Sequence, residues 1–244
     1  MPTVRVLTWN VCGDKQARAD LALKVINSDS PDILFFQEAR KTKPQLSNLY
    51  TALKASSLYD FLFCDEYEPV GIPYGKQNYY PDTSGKSYYC FYKKATITKP
   101  QNAALQLVDY VAHLSTSGKD PNANLLTTRR PAYIEIDWTA TNQSILLFTW
   151  HAPLSGAGGG VFNYQAHAFF NSIAEAMSKN KVAIIAGDMN ATAKQVAKTY
   201  SNDFEVGGYH LSHIVTNQTI AQSSWYDDVL SDVHYLLLAD ISWT

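Results

Sequence analysis

The sequence is poor in the residues that build several common kinds of site. Its three cysteines in 244 residues, Cys12, Cys64 and Cys90, are odd in number and form no CxxC pair. That excludes a disulfide framework and a cysteine-caged zinc site, and each thiol is expected to be a small buried apolar group. No run approaches the 18 or so apolar residues that a membrane span needs. The opening MPTVRVLTWNVCG has no basic stretch leading into an apolar helix and a small-residue cleavage site, so no secretory leader is expected in it. HExxH is absent, and Ser155 lies in no GxSxG. GAGGG at 156–160 lacks the Lys-Ser/Thr of a phosphate loop and reads as a flexible turn. Nor is there a surplus of positive charge. Lys and Arg number 20 against 22 Asp and Glu, a net charge of −2, which argues against a protein that coats nucleic acid and leaves room for an enzyme with a local basic patch.

What is present is a core. Hydrophobic residues make up 46% of the chain and charged residues 17%, a balance that folds. No repeat, low-complexity segment or composition break divides the chain, so one domain over residues 1–244 is expected. TVRVLTWN (3–10) alternates as a strand, residues 16–28 carry apolar positions at helical spacing, and DILFFQ (32–37) is a short buried run. Together they form a βαβ unit. A helix is predicted over 43–57, a long loop over 65–87, a strand over 88–93 and a short helix around 103–110. AYIEIDW (132–138), SILLFTW (144–150) and KVAIIAG (181–187) are strands. A helix of about 20 residues fits between the last two, with Phe162, Ala166, Phe169, Phe170, Ile173 and Met177 as its apolar stripe. HLSHIVT and HYLLLADISW close the pattern as strands. Strands outnumber helices and alternate with only some of them. The fold class expected is α/β (α+β): two mixed sheets packed together, with helices on the outer faces.

Polar residues gather where strands end. Asn10 ends the first, Gln37 and Glu38 the second, His151 follows SILLFTW, Asp188 and Asn190 follow KVAIIAG, and Asp232 and His234 open the last. Side chains converge at such ends, where sites collect. Glu38, Asn10 and Asp188 offer oxygen donors, suited to Mg²⁺ or Mn²⁺ rather than zinc. Two histidines beside a hard cation suit hydrolysis at phosphorus. Trp9 reads as core. His113, His167, His210 and His213 fall in no motif and read as structural or solvated. Tyr67, Tyr74, Tyr79, Tyr80, Tyr88 and Tyr89 offer either packing or stacking surface.

The segments LTWNVCG, DILFFQEA, TRRPAYIEI, LLFTWHAPLSG, IIAGDMNA and LSDVHYLLLADI resemble, in order, those of the endonuclease/exonuclease/phosphatase superfamily, the fold of pancreatic deoxyribonuclease. The layout is most similar to the nuclease subunit of cytolethal distending toxins. The resemblance implies a four-layer sandwich and a Mg²⁺- or Mn²⁺-dependent phosphodiesterase acting on DNA or another phosphate ester. It implies Glu38 as principal metal ligand and Asn10 beside it as ligand or phosphate contact. Arg129 (or its neighbour Arg130) would bind phosphate, and His151 would hold it. Asp188 would orient or deprotonate water with Asn190 as companion, and His234 would be the second histidine with Asp232 as acidic partner.

Two departures bear on His234. The family's aspartate upstream of SDH is matched by Ser212, with Asp227 and Asp228 as spatial substitutes, and Val233 separates Asp232 from His234. On an extended strand one inserted residue reverses a side chain's aim unless a bulge absorbs it. Three functions stay open: a DNA-cutting phosphodiesterase, a hydrolase of an inositol-phosphate or sphingomyelin-type headgroup, and a weakened relative that only binds. A protein partner and the compartment are not indicated.

Overall fold

The computed structural model describes residues 1–13, 15–40, 47–65, 86–98, 104–109, 130–139, 141–155, 161–200, 203–227 and 234–243. β1 (Thr3–Asn10), α1 (Gln16–Asp29) and β2 (Ile33–Arg40) come first, then α2 (Asn48–Ala55), β3 (Tyr59–Asp65) and β4 (Lys86–Lys93). The short strands β5 (Ile97–Thr98) and β6 (Gln106–Leu107) precede β7 (Ala132–Trp138) and β8 (Gln143–His151). After β9 (Leu154–Ser155) and β10 (Val161–Phe162) come α3 (Tyr164–Met177), β11 (Val182–Asp188) and α4 (Ala193–Ala197). β12 (Glu205–Tyr209), β13 (Ser212–Thr216), β14 (Thr219–Tyr226) and β15 (Leu236–Ser242) follow.

The strands form two mixed sheets. One runs β14-β15-β1-β2-β4-β3, and the other runs β12-β13-β11-β8-β7-β5, with β6 also paired to β7. Strand alternation sorts the apolar residues into layers. Val4, Val6, Ile33, Phe35, Ile145, Leu147, Ile184 and Ala186 fill the space between the sheets. Leu7, Trp9, Leu34 and Phe36 face outward onto Ala22 and Val25 of α1. Phe148 and Trp150 face outward onto Phe169, Phe170 and Ile173 of α3. The expected sandwich of helices outside two packed sheets is the observed one.

At the centre of each sheet lies one parallel strand pair, β1 beside β2 and β8 beside β11. Each pair is linked through a helix, α1 in one case and α3 in the other, so the core of the protein is two βαβ units face to face.

Several local expectations differ. The 103–110 helix is replaced, over the described residues, by β6, because Gln106 and Leu107 pair with Tyr133 and Ala132 of β7; sheet pairing outweighs weak helical spacing. The predicted helix over 43–57 begins only after Ser47, whose side chain caps it by accepting from Tyr50 N–H, and residues 43–46 lie outside the described ones. The long crossover helix has 14 residues, not 20, because Asn163 caps its start by accepting from Ala166 N–H. Phe162 therefore sits in β10 instead of the helical stripe. β15 starts at Leu236, so His234 precedes the strand. Cys12 is exposed, since it follows the end of β1 and turns away from the core in a left-handed conformation, φ 46°; Cys90 is buried as expected. Tyr88 and Tyr89 are fully buried and serve packing. Tyr67, Tyr74, Tyr79, Tyr80, His113, Arg129, Asp228, Asp232, Val233 and the GAGGG turn lie outside the described residues.

Candidate active site

Plain alternation brings three polar side chains to one end of the space between the sheets. Asn10 has the parity of Val4 and Val6, His151 that of Ile145 and Leu147, and Asp188 that of Ile184 and Ala186, all inward residues. Asp188 pairs directly with His151 across the parallel register. The preceding Gly187 allows this closeness: a Cβ there would sit 2.0 Å from the Trp150 carbonyl oxygen.

Glu38 arrives differently. The parity of Leu34 and Phe36 would send it outward, but β2 slips register against β4 between Phe36 and Ala39, and Glu38 adopts φ 55°. A bulge with a left-handed residue re-aims the side chain. The strained backbone is pinned by Val11 N–H on the Gln37 carbonyl (3.0 Å) and Gly13 N–H on that of Glu38 (3.1 Å). Beneath it, Gln37 Nε2 donates to Thr8 Oγ1 (3.1 Å) and to Thr149 Oγ1 (2.9 Å), joining the two sheets as a polar floor.

Asp188 is the hub. It is fully buried. Oδ1 accepts the Asn190 N–H at 2.9 Å, and Oδ2 accepts Asn10 Nδ2 at 2.8 Å. Oδ2 also lies 3.2 Å from His234 Nδ1 and 3.9 Å from His151 Nε2. Burial pushes this carboxyl up, but the His234 contact, the electrostatic influence of the His151 and His234 rings and the Asn10 bond outweigh it and hold the group at about 2. Asp188 is thus an ionised anchor. Asn190 supports the same corner, since its Nδ2 donates to the Ala152 carbonyl at 2.7 Å. His151 lies between two acids, with Nδ1 3.3 Å from Glu38 Oε1. Tyr88 fixes its backbone: the phenol accepts His151 N–H (3.1 Å) and donates to the Arg130 carbonyl (3.1 Å).

The geometry therefore brings together Asn10, Glu38, His151, Asp188, Asn190 and His234. Arg130 is buried two residues before β7. His234 reaches the site despite the Val233 insertion, and the acid at its Nδ1 is Asp188. Ser212, where an aspartate was expected, instead donates from Oγ to the Tyr235 carbonyl at 2.8 Å and ties down the residue after His234. Two contributors were not foreseen, Tyr88 and Lys86. Lys86 Nζ lies 2.6 Å from Glu38 Oε2. Its signal was its inward parity with Tyr88 and Cys90, hidden by placing the strand start two residues late.

The donors can be tested against a cation. Among the described residues no three His, Cys, Asp or Glu side chains converge as a metal cage requires. One carboxylate, Glu38, stands beside the Asn10 carboxamide, whose oxygen accepts Cys12 N–H at 2.9 Å. A single carboxylate with water completing the shell suits Mg²⁺ or Mn²⁺ and not structural zinc. The set fits such an ion once Lys86 withdraws from Oε2.

Comparison with known proteins agrees with this architecture. The profile of the Endonuclease/Exonuclease/phosphatase family matches residues 7–232, nearly the whole chain. The chain belongs to that family. Within it, the chain is similar in fold to an endonuclease/exonuclease/phosphatase from Bacteroides vulgatus, with TM-score 0.68 and 15% identity over 100% of both chains. It is also similar to the human Nocturnin catalytic domain with bound sulfate, TM-score 0.63 and 16% identity, covering 100% of this chain and 94% of that one. A third likeness is to D. rerio TDP2 complexed with single strand DNA product, TM-score 0.63 and 12% identity over 100% of each. No curated protein sequence matches the chain. No described helix is long and apolar enough to cross a membrane.

Proposed function

We propose that the chain is a divalent-metal-dependent phosphodiesterase that hydrolyses DNA phosphodiester bonds, acting as one catalytic domain. The observation that carries this is the convergence on Asp188 of Asn10, His151 and His234, from three separate parts of the chain. Family membership and the DNA product held by the TDP2 relative support it.

In this reading Asp188 orients both histidines and leaves proton transfer to them, because a carboxyl held at about 2 is a poor base near neutrality. With the acid at its Nδ1, His234 takes a proton from the attacking water through Nε2. His151, held between Glu38 and Asp188, faces the phosphate and gives a proton to the leaving oxygen. Bond making between water oxygen and phosphorus is thereby matched by cleavage of the ester P–O bond, with one proton lost and one gained. Asn10 and Asn190 keep Asp188 aimed. Glu38 would hold Mg²⁺ or Mn²⁺ with Asn10 beside it, and the ion would neutralise charge on the phosphate oxygens when bound. Arg129, Arg130 and Asp232 border the same end in sequence and complete the proposed phosphate and acid set.

Supercoiled plasmid with Mg²⁺ is expected to be nicked, and chelator to stop nicking. His151→Gln should lower the rate about 10²- to 10⁴-fold with an unchanged circular dichroism melt. Phosphate release from a phosphoinositide without nicking, or no metal-dependent turnover of any ester, overturns the reading.

A further inference from the structure

β12 and β14 are edge strands, one from each sheet, and they meet along one side of the sandwich, where Ile220 N–H donates to Glu205 Oε2 at 2.8 Å. At the site end of this edge four rings assemble. Trp225 stacks on Tyr209 with centroids 4.3 Å apart and planes 5° from parallel. Tyr235 meets Tyr209 edge-on at 4.7 Å, and the His210 ring stacks on Tyr235 at 4.6 Å. Packing across the edge explains the contacts between the rings. It does not explain why Trp225 stays 50% exposed while the other four tryptophans are 5% exposed or less. Tyr209 covers one face of the indole, and half of the residue remains in water.

The rings are tied to the catalytic end. Tyr235 directly follows His234, and Ser212 Oγ holds its carbonyl. The turn bearing Tyr209 and His210 is fixed by Met189 N–H on the Leu211 carbonyl (2.8 Å), one residue past Asp188. Overall charge is −2, so the protein as a whole offers little general attraction to phosphates. Exposed ring faces attract bases without reference to sequence or backbone charge.

We infer that Trp225, with Tyr209, His210 and Tyr235 behind it, is a subsite for an unpaired nucleobase next to the scissile phosphate. The inference rests on the phosphodiesterase reading and narrows its substrate: a duplex keeps its base faces stacked internally, so single-stranded or frayed DNA is preferred.

Trp225 is the one water-exposed indole of the five, so quenching at the red edge of the tryptophan emission, compared with Trp225→Phe, reports on it. The full chain in chelator, titrated with an eight-residue oligothymidine, is expected to show quenching. An abasic oligonucleotide of equal phosphate number should bind about tenfold more weakly and leave the emission unchanged. By anisotropy of a labelled strand, Trp225→Ala should erase the difference between the two ligands and Trp225→Phe should keep most of it, with both variants melting like the parent. Equal affinity for oligothymidine and its abasic analogue overturns the subsite, even if plasmid is nicked in a His151-dependent way. Base-dependent quenching without turnover of any phosphodiester would keep the subsite and remove the catalytic reading instead.

Discussion

The two parallel strand pairs at the heart of the sandwich feed the same site by different means. In β8 and β11 the work is done by register alone: the last inward position of each strand is polar, and the two residues, His151 and Asp188, are direct neighbours. In β1 and β2 only Asn10 comes this way. Glu38 needs an extra residue in β2, a left-handed backbone and two N–H groups from the turn after β1 to face inward. His151 and Asp188 therefore rest on ordinary strand backbone, while Glu38, the proposed principal cation ligand, is held by a distortion.

Acid offers the largest test of this contrast. The second pair leans on His167 of α3, which is fully buried, packs at a tilt against Trp150 and contacts the Met189 carbonyl at 3.0 Å. Burial lowers its pKa from 6.5 to about 4, despite the Met189 contact. His213 is likewise lowered to about 4, chiefly by burial and against the pull of Asp188. Unfolded rings bind protons near 6.5, so folding stability falls as pH drops from about 6.5 to about 4 and levels off below; a shift like that of His167 corresponds to about 3 kcal/mol. Melting temperatures across this range should fall steeply for the parent and less steeply for His167→Gln. Equal slopes would show that the second pair is not acid-sensitive in this way. Asp188, depressed to about 2, adds its own loss only below about 3.8.

The strain in the first pair predicts a smaller change of opposite sign. Glu38→Gly removes a left-handed non-glycine residue and is expected to raise stability by about 1 kcal/mol while abolishing metal-dependent turnover. Denaturant melts alongside nicking assays check it, and a less stable variant would mean that Glu38 is not strained. The smallest effect concerns Lys86. Without its ammonium against Oε2, Lys86→Met should lower the Mg²⁺ concentration for half-maximal binding a few-fold, read by Mn²⁺ competition in electron paramagnetic resonance. Weaker binding would make Lys86 a support for the ion and not its rival.

What could be read in advance follows the same division. Asn10, His151 and Asp188 were legible because each continues an alternating apolar strand by one inward step. Glu38 was legible as a residue type but its aim was not, since a bulge depends on how β4 pairs with β2. Lys86 follows a long polar stretch and precedes the apolar run, so it reads as loop. β14 (TIAQSSWY) is mostly exposed and carries too few apolar residues to announce a strand. β12 (EVGGY) is masked by glycines that the packing demands, as a Cβ at Gly208 would lie 2.1 Å from His213 Nδ1. The ring assembly at this edge was invisible for the same reason: Tyr209 and Trp225 come from strands that only the fold reveals.

The Asn10–Asp188 hydrogen bond joins the two layers, because its donor belongs to one sheet and its acceptor to the other. The reactive centre is thus a seam between layers, and its dimensions are set by how closely they are clamped. A slip between the halves would part this donor from its acceptor while every strand kept its ladder, so the site answers to the fit of the two layers and not to the strands alone.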